Sequence, residues 1–420
     1  MLSILINAYA CSPNMGSEPG MAWNWCVHLA KHCELHIITE GEFREKIEAA
    51  LPVLPYGDRL HFYYNPVSDE VRMMCWNQGD WRFYKYYREW QWKTYLMANE
   101  ICLHEHIDVL HQLNMIGFRE PGYLWKLSKE TNIPFVWGPI GGLKQFPLRY
   151  ASGGGLKLMV AMAVKNAINI LQLKFSRRVD AALRQASWLI SSIPDSQRAI
   201  KKHKGYDSVV IPETGCTSMP SSSVDTNSKN VSNGFRILWV GKFDFRKRLD
   251  LALRAFAAAC HEDATLVIYG TGNDKQVAKA YALAKDLGID GHVEWMGSRP
   301  NSEVKEDMKR ANLFLFTSVS EDTSTVVLEA VENGLPVLCF DACGMAAVID
   351  EQVGKKVKLT NTAQSVRDFA AAIESLYRDR AKLKELSANC SQRADSLSWN
   401  KKAEKVVEQY KQILKDNETA

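Results

Sequence analysis

The sequence lacks several patterns that would place it in a class at once. Its ten cysteines include no Cys-x-x-Cys pair and no cysteine–histidine spacing typical of a zinc site. Asp-x-Asp does not occur, and Gly-x-Gly-x-x-Gly follows neither of the two apolar segments where a dinucleotide-binding unit would begin. These absences speak against a structural zinc protein, a disulfide-stapled secreted protein and a dinucleotide oxidoreductase.

The N-terminus also lacks a basic segment and a small-residue cleavage site, so no signal peptide is predicted. The longest apolar stretch, Leu156–Leu173, is interrupted by Lys157 and Lys165 and falls short of about 20 uncharged residues. We therefore predict no transmembrane helix. Together with scattered, reduced cysteines, this favours a cytoplasmic location.

The bulk composition is that of an ordinary globular protein, with 46% hydrophobic and 24% charged residues. A net charge of +4 is too small to indicate nucleic-acid binding, although it suits an anionic substrate or membrane surface. A chain of 420 residues is long enough for two domains of roughly 200 residues each.

Short runs rich in Val, Ile and Leu alternate with amphipathic stretches of helical length, which predicts an α/β protein with parallel sheets. Two Rossmann-like, doubly wound domains follow from the order of these segments. The predicted strands lie near Leu2–Ala8, Leu35–Thr39, Leu60–Tyr64, Val109–His111, Phe135–Trp137, Trp188–Ser192 and Val209–Ile211, and then near Arg236–Val240, Ala264–Tyr269, His292–Trp295, Leu313–Thr317 and Pro336–Phe340.

A polar segment without periodicity, Thr217–Asn233, has the composition of a linker or exposed loop. We place the domain boundary just before it, giving domains 1–212 and 213–398. The last segment, Leu397–Leu414, has apolar residues at helical spacing and needs a surface to cover.

The most informative stretch, from Leu313 to Val337, reads as strand, polar loop, helix, glycine stop and strand. The helix start lies at the carboxyl edge of the predicted sheet, where backbone amides suit a diphosphate. Glu321 precedes the helix and Glu329 lies about one turn inside it, so both carboxylates can reach one ligand and bind its hydroxyls. The alternative is a pair of ordinary surface glutamates. The predicted donor contacts at this helix start are Thr323, Ser324, Thr325, Val326 and Glu329.

This Glu-x7-Glu element, followed by Gly334-x-Pro336, resembles the donor site of retaining GT-B glycosyltransferases of family 4, the glycosyl transferases group 1. The segment Gly241–Asp250 is similar to that family's Gly-Arg and Lys-Gly motifs. Lys242 stands for the usual Arg and Arg248 for the usual Gly. The resemblance also assigns Gly270 and Gly272 to the nucleotide side.

The resemblance implies the GT-B fold, with two domains facing across a cleft and residues 399–420 crossing back to the first domain. Because charge builds up on the departing diphosphate, the reaction needs a preorganised cation, and Lys247 is the predicted one. Its alternative reading is a solvated basic cluster with its neighbours. Glu321 joins it as a predicted catalytic residue, and neither acts as a nucleophile.

In the first domain, the resemblance places Gly16 against the donor phosphates, and the alternative is a loop glycine that serves only the turn. The resemblance also places a histidine near the transferred sugar, for which His111 is the candidate. Register is open by two residues, and His111 also suits a structural role. Trp137–Gly142 resembles a segment from a polysaccharide-building branch of the family. The predicted acceptor-side residues are Asn114, Arg119, Gly141 and Gly142.

Two further segments bear on the acceptor. Aromatic residues crowd Met74–Tyr95, where they either form core or stack on sugars or lipid. The segment Leu156–Arg178 combines an apolar face with basic residues, which suits peripheral contact with an anionic membrane, and the alternative is a buried helix.

The sequence thus predicts a hexosyltransferase that uses a nucleotide-diphosphate sugar and a saccharide or lipid-linked acceptor, in cell-surface polysaccharide, lipopolysaccharide or capsule synthesis. No cofactor or metal and no nucleic-acid partner are expected. The alternatives are an epimerase or phosphorylase on the same fold, or a donor-binding subunit without turnover.

Overall fold

The computed structural model describes residues 1–77, 80–217 and 234–419. The predicted linker Thr217–Asn233 lies outside the described residues except for Thr217. By internal contacts the chain divides into two compact units. The first comprises Met1–Leu143, Asn169–Glu213 and Trp399–Ala420, and the second comprises Lys144–Ile168 and Thr214–Ser398.

The first unit contains a seven-stranded sheet whose paired strands run parallel in the order β3-β2-β1-β4-β5-β6-β7. Residues alternate between two core clusters along β1, since Ile4 and Ile6 enter one cluster and Leu5 the other. Both faces of the sheet are therefore covered, as in doubly wound proteins. The strands are β1 (Leu2–Ala8), β2 (Cys33–Thr39), β3 (Leu60–Tyr64), β4 (Val109–Asn114), β5 (Phe135–Ile140), β6 (Ala186–Ser191) and β7 (Val209–Val210).

Helices pack on this sheet from both sides, and the C-terminal helix is one of them. Trp399, Val406 and Tyr410 of that helix are buried in the same cluster as Ile4 and Ile6. The helices up to residue 204 are α1 (Ser17–Leu29), α2 (Arg44–Ala50), α3 (Asp69–Trp76), α4 (Phe83–His104), α5 (Leu124–Thr131), α6 (Gly155–Phe175), α7 (Arg177–Gln185) and α8 (Pro194–Lys204), with 3₁₀ turns at Leu51–Val53, Gly57–Arg59 and Leu148–Gly154.

The second unit has a six-stranded parallel sheet in the order β10-β9-β8-β11-β12-β13. Ile237 and Trp239 face one core cluster and Leu238 faces another, so this sheet is also buried on both sides. The strands are β8 (Phe235–Val240), β9 (Ala264–Tyr269), β10 (Val293–Gly297), β11 (Leu313–Phe316), β12 (Val337–Phe340) and β13 (Gly354–Val357).

The remaining helices are α9 (Leu249–Ala258), α10 (Asp274–Asp286), α11 (Asn301–Arg310), α12 (Thr325–Glu332), α13 (Met345–Val348), α14 (Thr362–Arg378), α15 (Arg380–Ser396) and α16 (Trp399–Thr419), with a 3₁₀ turn at Asp290–His292. Helices α9 to α13 alternate with the strands of this second sheet, α14 to α16 follow β13 in succession, and α16 belongs to the first unit.

The α/β class with two doubly wound sheets is confirmed, and two details differ from the prediction. Strand β13 was missed, because Gly354-Lys355-Lys356-Val357 is short, charged and at the sheet edge. Residues 144–168, which the predicted boundary gave to the first domain, belong to the second unit. Phe146 and Tyr150 are buried in its core, and the sequence pattern cannot show which core an apolar residue enters.

Candidate active site

The predicted donor residues lie at the carboxyl edge of the second sheet, around strands β8 and β11. These strands are neighbours in the sheet. The strand that follows β8 in the chain, β9, lies on one side of the pair, and the strand that follows β11, β12, lies on the other side. Doubly wound folds bind ligands at such a switch point. Lys247 lies in the loop after β8, and Glu321 lies in the loop after β11.

Asp244 shapes the first of these loops. Its carboxylate accepts backbone hydrogen bonds from Arg246 (2.8 Å) and Lys247 (3.0 Å) and one from the Arg246 guanidinium (2.9 Å). Burial alone would raise the pKa of Asp244, but these hydrogen bonds and the Arg246 charge outweigh it and lower the pKa. The sequence patterns assigned no role to Asp244. An Asp that accepts hydrogen bonds from backbone amides two or three residues later is nevertheless a common feature of tight loops.

Arg248 ends the same loop in a left-handed conformation, with φ +53°. This conformation favours glycine, which explains the glycine that the resemblance leads one to expect here. The arginine is held instead by its buried side chain. Its guanidinium makes a two-pronged pair with Asp250 (2.8 Å for each contact) and donates to the carbonyl of Tyr150 (3.3 Å).

Three consecutive residues after β11 tie the two loops together. The Thr317 hydroxyl donates to the carbonyl of Lys247 (2.8 Å), and the Ser318 hydroxyl lies 3.2 Å from the carbonyl of Arg246. The amide of Val319 donates to that same carbonyl (2.9 Å). The position of the Lys247 backbone is therefore fixed by the neighbouring strand.

Lys247 and Glu321 form an ion pair, with 2.8 Å between Nζ and Oε1. Their side chains are only 16% and 18% exposed. Oε1 of Glu321 also accepts from the Ser318 hydroxyl (2.9 Å), and the Lys247 ammonium lies 5.0 Å from the centroid of the Phe316 ring. The predicted cation and the predicted carboxylate are thus brought together and oriented.

Helix α12 begins beside this pair. Ser324 is its N-cap residue but makes no side-chain capping hydrogen bond, so the first-turn amides at Thr325 and Val326 suit an external acceptor such as a phosphate oxygen. Thr325 is exposed and Thr323 is partly exposed.

Glu329 lies one turn inside α12, as the spacing predicted. Its Oε1 accepts from the Asn301 amide (2.9 Å) and lies 3.7 Å from the ammonium of Lys305. Both partners come from the neighbouring helix α11. Asn301 and Lys305 hold the Glu329 carboxylate in one orientation. The sequence did not predict these two contacts because no pattern in α11 indicates that this helix packs beside α12.

The glycine turn after β9 is needed for close backbone packing. Gly270 has φ +125°, and a Cβ there would lie 1.9 Å from the carbonyl oxygen of Gly241. A Cβ at Gly272 would lie 2.6 Å from Oε1 of Gln276. The loops after β8 and β9 therefore touch at Gly241 and Gly270. The Lys242 side chain is exposed at this edge.

A cavity of 530 Å³ in the second unit lies between helices α9 and α10 and the loop after β8. Phe243, Leu253 and Leu283 give it an apolar wall. Lys247, Glu321 and Glu329 are not among its lining residues, so the donor site is defined by side-chain geometry rather than by this cavity.

In the first unit, the loop after β1 contains the predicted contact Gly16. It is the N-cap of α1, is exposed, and has open space where a Cβ would stand. Gly20 is the sterically required glycine, since a Cβ there would lie 1.7 Å from the carbonyl oxygen of Met15. Pro19 is the third residue of α1 and lies in the first turn, where backbone amides lack helical acceptors.

His111 is fully buried in the core of the first unit, and its two ring nitrogens are engaged. Nε2 lies 2.7 Å from the carbonyl of Gly138, so it carries the proton, and Nδ1 accepts from the Tyr410 hydroxyl at 2.5 Å. Burial lowers the pKa of His111 to about 4. The structure therefore favours the structural role over the catalytic one. Tyr410 of α16, which donates to His111, lies far away in the sequence, so the local sequence pattern could not predict this contact.

The predicted acceptor-side residues are held mainly by the protein itself. Asn114 is buried and donates to the carbonyl of Ala10 (2.8 Å). Arg119 binds Gln172 (2.7 Å) and Asn169 at the end of α6. Gly141 bridges Gly117 beside β5, and Gly142 adopts φ +76° next to it. These residues shape the edge of the first sheet.

The aromatic segment divides into two groups. Phe83, Tyr87 and Trp90 are buried and pack edge-on around Tyr9, with centroid distances from 4.8 to 5.7 Å. These residues are core. The exposed members are Trp76, Trp81, Tyr84 and Trp92.

Helix α6 exposes large apolar side chains along one stripe. Leu156 is 71% exposed and Phe175 is 73% exposed, while Asn169 and Leu173 on the opposite side are buried. Among the described residues, α6 is the one helix with the length and apolar composition that crossing a membrane requires, two properties that core helices and signal sequences share. The exposed stripe comprises Leu156, Met159, Val160, Val164, Ile168, Leu171 and Phe175.

Within the described residues, no group of three or more His, Cys, Asp or Glu side chains is arranged to hold a metal ion.

The fold is similar to that of known proteins. Over 98% of this chain and 100% of the other, the structure is similar to that of Anabaena Alr3699/HepE in complex with UDP, with a TM-score of 0.64 at 15% identity. The chain therefore has the GT-B fold. Residues 224–397 match the family model of the glycosyl transferases group 1.

Curated relatives agree over shorter spans. A D-inositol 3-phosphate glycosyltransferase of Nocardia farcinica is 30% identical over 186 residues, which cover 42% of this chain and 40% of the relative. The lipopolysaccharide glucosyltransferase WaaG of Escherichia coli K12 is 34% identical over 114 residues, covering 27% of this chain and 30% of WaaG. The chain thus matches less than half the length of each relative.

Proposed function

We propose that this protein is a retaining glycosyltransferase that moves a hexosyl unit from a nucleoside diphosphate sugar to a saccharide or lipid-linked saccharide. The observation that carries this proposal is the Lys247–Glu321 pair at the switch point of the second sheet. A cation and a carboxylate fixed at one helix start suit a ligand that presents both a diphosphate and hydroxyl groups.

Each part of the donor has a partner in this site. The first-turn amides of α12 bind the diphosphate, and Glu329 accepts hydrogen bonds from the ribose hydroxyls. Asn301 and Lys305 hold Glu329 in place for that contact. Glu321 accepts from hydroxyls of the transferred sugar. Preorganised partners of this kind reduce the entropic cost of ordering the donor.

The reaction breaks the bond between the anomeric carbon and the diphosphate oxygen. Lys247 stabilises the charge that accumulates on the departing diphosphate. The acceptor hydroxyl attacks from the same side, its oxygen bonds to the anomeric carbon, and its proton passes to a phosphate oxygen of the leaving group. The anomeric configuration is retained without a protein nucleophile.

Similar proteins support the donor class and the acceptor class. Alr3699/HepE was crystallised with UDP, with UDP and glucose, and with UDP-glucose. WaaG is named as a lipopolysaccharide glucosyltransferase. On this basis we infer a nucleoside diphosphate sugar donor and a role in the synthesis of cell-surface polysaccharide in the cytoplasm.

The proposal is tested by thermal shift and donor hydrolysis with UDP-, GDP- and ADP-sugars. We expect one nucleotide to raise the melting temperature and its sugar to be hydrolysed slowly, with the sugar released first as the same anomer in the NMR spectrum. Release of the opposite anomer would refute retention. Stabilisation by a nucleotide without hydrolysis or transfer to any acceptor would favour a silent donor-binding subunit.

We further propose that α6 rests on the anionic surface of the cytoplasmic membrane. Its exposed apolar stripe is flanked by Lys157 and Lys174, and apolar side chains beside lysines suit the boundary between headgroups and acyl chains. Anionic lipid adds about 1 kcal/mol of attraction per lysine near the surface.

Vesicle co-sedimentation tests this contact. The wild type is expected to sediment with phosphatidylglycerol vesicles at low salt and to remain in solution with phosphatidylcholine vesicles. Val164→Glu combined with Leu171→Glu should abolish sedimentation, because both side chains lie in the stripe. Leu103→Glu is the matched control, since Leu103 is 70% exposed on α4. Equal sedimentation of all three proteins would refute the contact.

A further inference from the structure

A lysine outside the recognised motifs reaches the donor loop of the second unit. Lys144 follows the Gly141-Gly142 end of β5 but belongs to the second unit. Its ammonium lies 2.6 Å from Oδ2 of Asp322, the residue immediately after Glu321. The two side chains are 21% and 26% exposed, so this pair is largely shielded from solvent.

The segment that carries Lys144 is firmly attached to the second unit. Phe146 and Tyr150 are buried in its core. The Tyr150 hydroxyl accepts from the amide of Thr360 (2.9 Å) and lies 2.7 Å from the Ser365 hydroxyl. Arg248, which ends the Lys247 loop, donates to the Tyr150 carbonyl. The backbone that carries Lys144 is therefore anchored in the second unit, and this anchoring positions the Lys144 side chain beside Asp322.

Asp322 needs this partner. Its second oxygen, Oδ1, is buried and accepts no hydrogen bond from the described residues. The loop has little room to move, because a Cβ at Gly344 would lie 2.6 Å from the Asp322 carbonyl oxygen. A carboxylate in such a place is costly unless a cation neutralises it.

Two consecutive carboxylates of the donor loop are thus each paired with one lysine, Glu321 with Lys247 and Asp322 with Lys144. Without Lys144, the loop would present an extra negative charge next to the predicted diphosphate position. Repulsion between like charges would then weaken donor binding and displace the Glu321 loop.

We propose that Lys144 is a positioning residue for the donor, acting through Asp322 on the Glu321 loop. This inference rests on the proposed function. Lys144 neutralises Asp322 and holds the loop in the conformation that accepts a nucleoside diphosphate sugar. It touches neither the reacting bond nor the departing phosphate, so its removal acts on donor KM more than on kcat.

The test measures donor KM, kcat and melting temperature for Lys144→Met, Lys144→Arg, and Lys144→Met combined with Asp322→Asn. Lys144→Met is expected to raise donor KM roughly tenfold, the scale of one charged hydrogen bond. Lys144→Arg should stay close to wild type because the charge remains. The double variant should recover to within about threefold of wild type, since its loop again carries no extra negative charge.

Lys285→Met is the matched control, an exposed lysine on α10. If Lys144→Met leaves donor KM unchanged while the protein is folded, or if the double variant is no better than the single one, the positioning role is wrong. If Lys144→Met does not fold, an unchanged donor KM in the Asp322→Lys, Lys144→Asp exchange variant would support the pairing, and loss of donor binding in it would overturn it. Failure of the wild type to bind any nucleotide would instead refute the proposed function and this role with it.

Discussion

Lys247 and Glu321 face each other at 2.8 Å, from loops that follow two neighbouring strands of one sheet. Their opposite charges offset each other and hold both side chains in place. In the proposed mechanism, the donor diphosphate carries more negative charge than one carboxylate, so it replaces Glu321 as the partner of the Lys247 ammonium. Glu321 then accepts hydrogen bonds from the sugar hydroxyls.

Replacing Lys247 tests its role in departure of the diphosphate. For Lys247→Met we expect kcat to fall by about 10²- to 10³-fold, the usual cost of losing one group that stabilises developing charge. The measurement is initial-rate kinetics with the donor found in the nucleotide screen. Lys285→Met carries the same chemical change on the surface of α10 and should keep wild-type kcat. A Lys247→Met enzyme with full turnover would remove this residue from the mechanism.

Replacing Glu329 tests the proposed contact between its carboxylate and the ribose hydroxyls. For Glu329→Gln we expect nucleotide Kd to rise about tenfold, because a charged acceptor for hydroxyl groups is lost. The effect should vanish with the 2′,3′-dideoxy form of the same nucleotide, which lacks those hydroxyls. Isothermal titration with both nucleotides makes the comparison.

Glu306→Gln, a similar change at an exposed position of α11, serves as the control for Glu329→Gln. An equal loss of affinity for the ribose and dideoxyribose nucleotides would show that Glu329 acts elsewhere.

Arg248→Gly restores the residue that the motif leads one to expect, yet it should destabilise this protein. The change relieves about 1 kcal/mol of left-handed backbone strain. It also leaves the Asp250 carboxylate without its two-pronged partner, which costs about 2 kcal/mol because that side chain is 40% exposed and water screens part of its charge. The net expectation is a loss of roughly 1 kcal/mol in the free energy of unfolding by urea denaturation.

Asn132→Gly is a matched control for Arg248→Gly, since exposed Asn132 is left-handed too, with φ +60°, but carries no charge that could pair with a carboxylate. It should be neutral or slightly stabilising. A neutral Arg248→Gly would mean that the guanidinium network contributes nothing.

His111 predicts a specific dependence of stability on pH. Burial lowers its pKa to about 4, while the unfolded chain titrates near 6.5. Below pH 6.5 the unfolded state takes up a proton that the folded state refuses, so this contribution is complete above pH 6.5 and is lost as pH falls toward 4. The loss between pH 7 and pH 4 is about 3 kcal/mol.

The measurement for His111 is the free energy of unfolding of wild type minus that of His111→Gln across this pH range, because glutamine does not titrate. Parallel curves would show that His111 is not held neutral in the folded protein.

In the second unit, local sequence patterns predicted several features that the structure shows. Glu329 fell one turn inside α12 because helical periodicity and the N-terminal boundary are local properties. The strand core of β11 was also predicted, since a buried parallel strand is a continuous apolar run. Edge strand β13 was not predicted because it is not fully buried, and a strand of this kind lacks the continuous apolar run by which a buried strand is recognised.

The first unit shows where local reasoning stops. His111 reads as a polar residue at a strand end, and its engagement by Tyr410 depends on a helix nearly 300 residues later. Gly16 and Gly20 lie close together in the sequence. Only the structure shows that Gly20 cannot carry a side chain, because it packs against the Met15 carbonyl, whereas Gly16 has open space.

Residue periodicity over short distances was enough to predict the α/β class, the alternation of strands and helices, and the loop-helix element that carries Glu321 and Glu329. Three contacts became visible only in the folded chain: Lys247 with Glu321, Asn301 with Glu329, and Lys144 with Asp322. Each of these contacts joins segments far apart in the chain, and strand order together with helix packing brings such segments together.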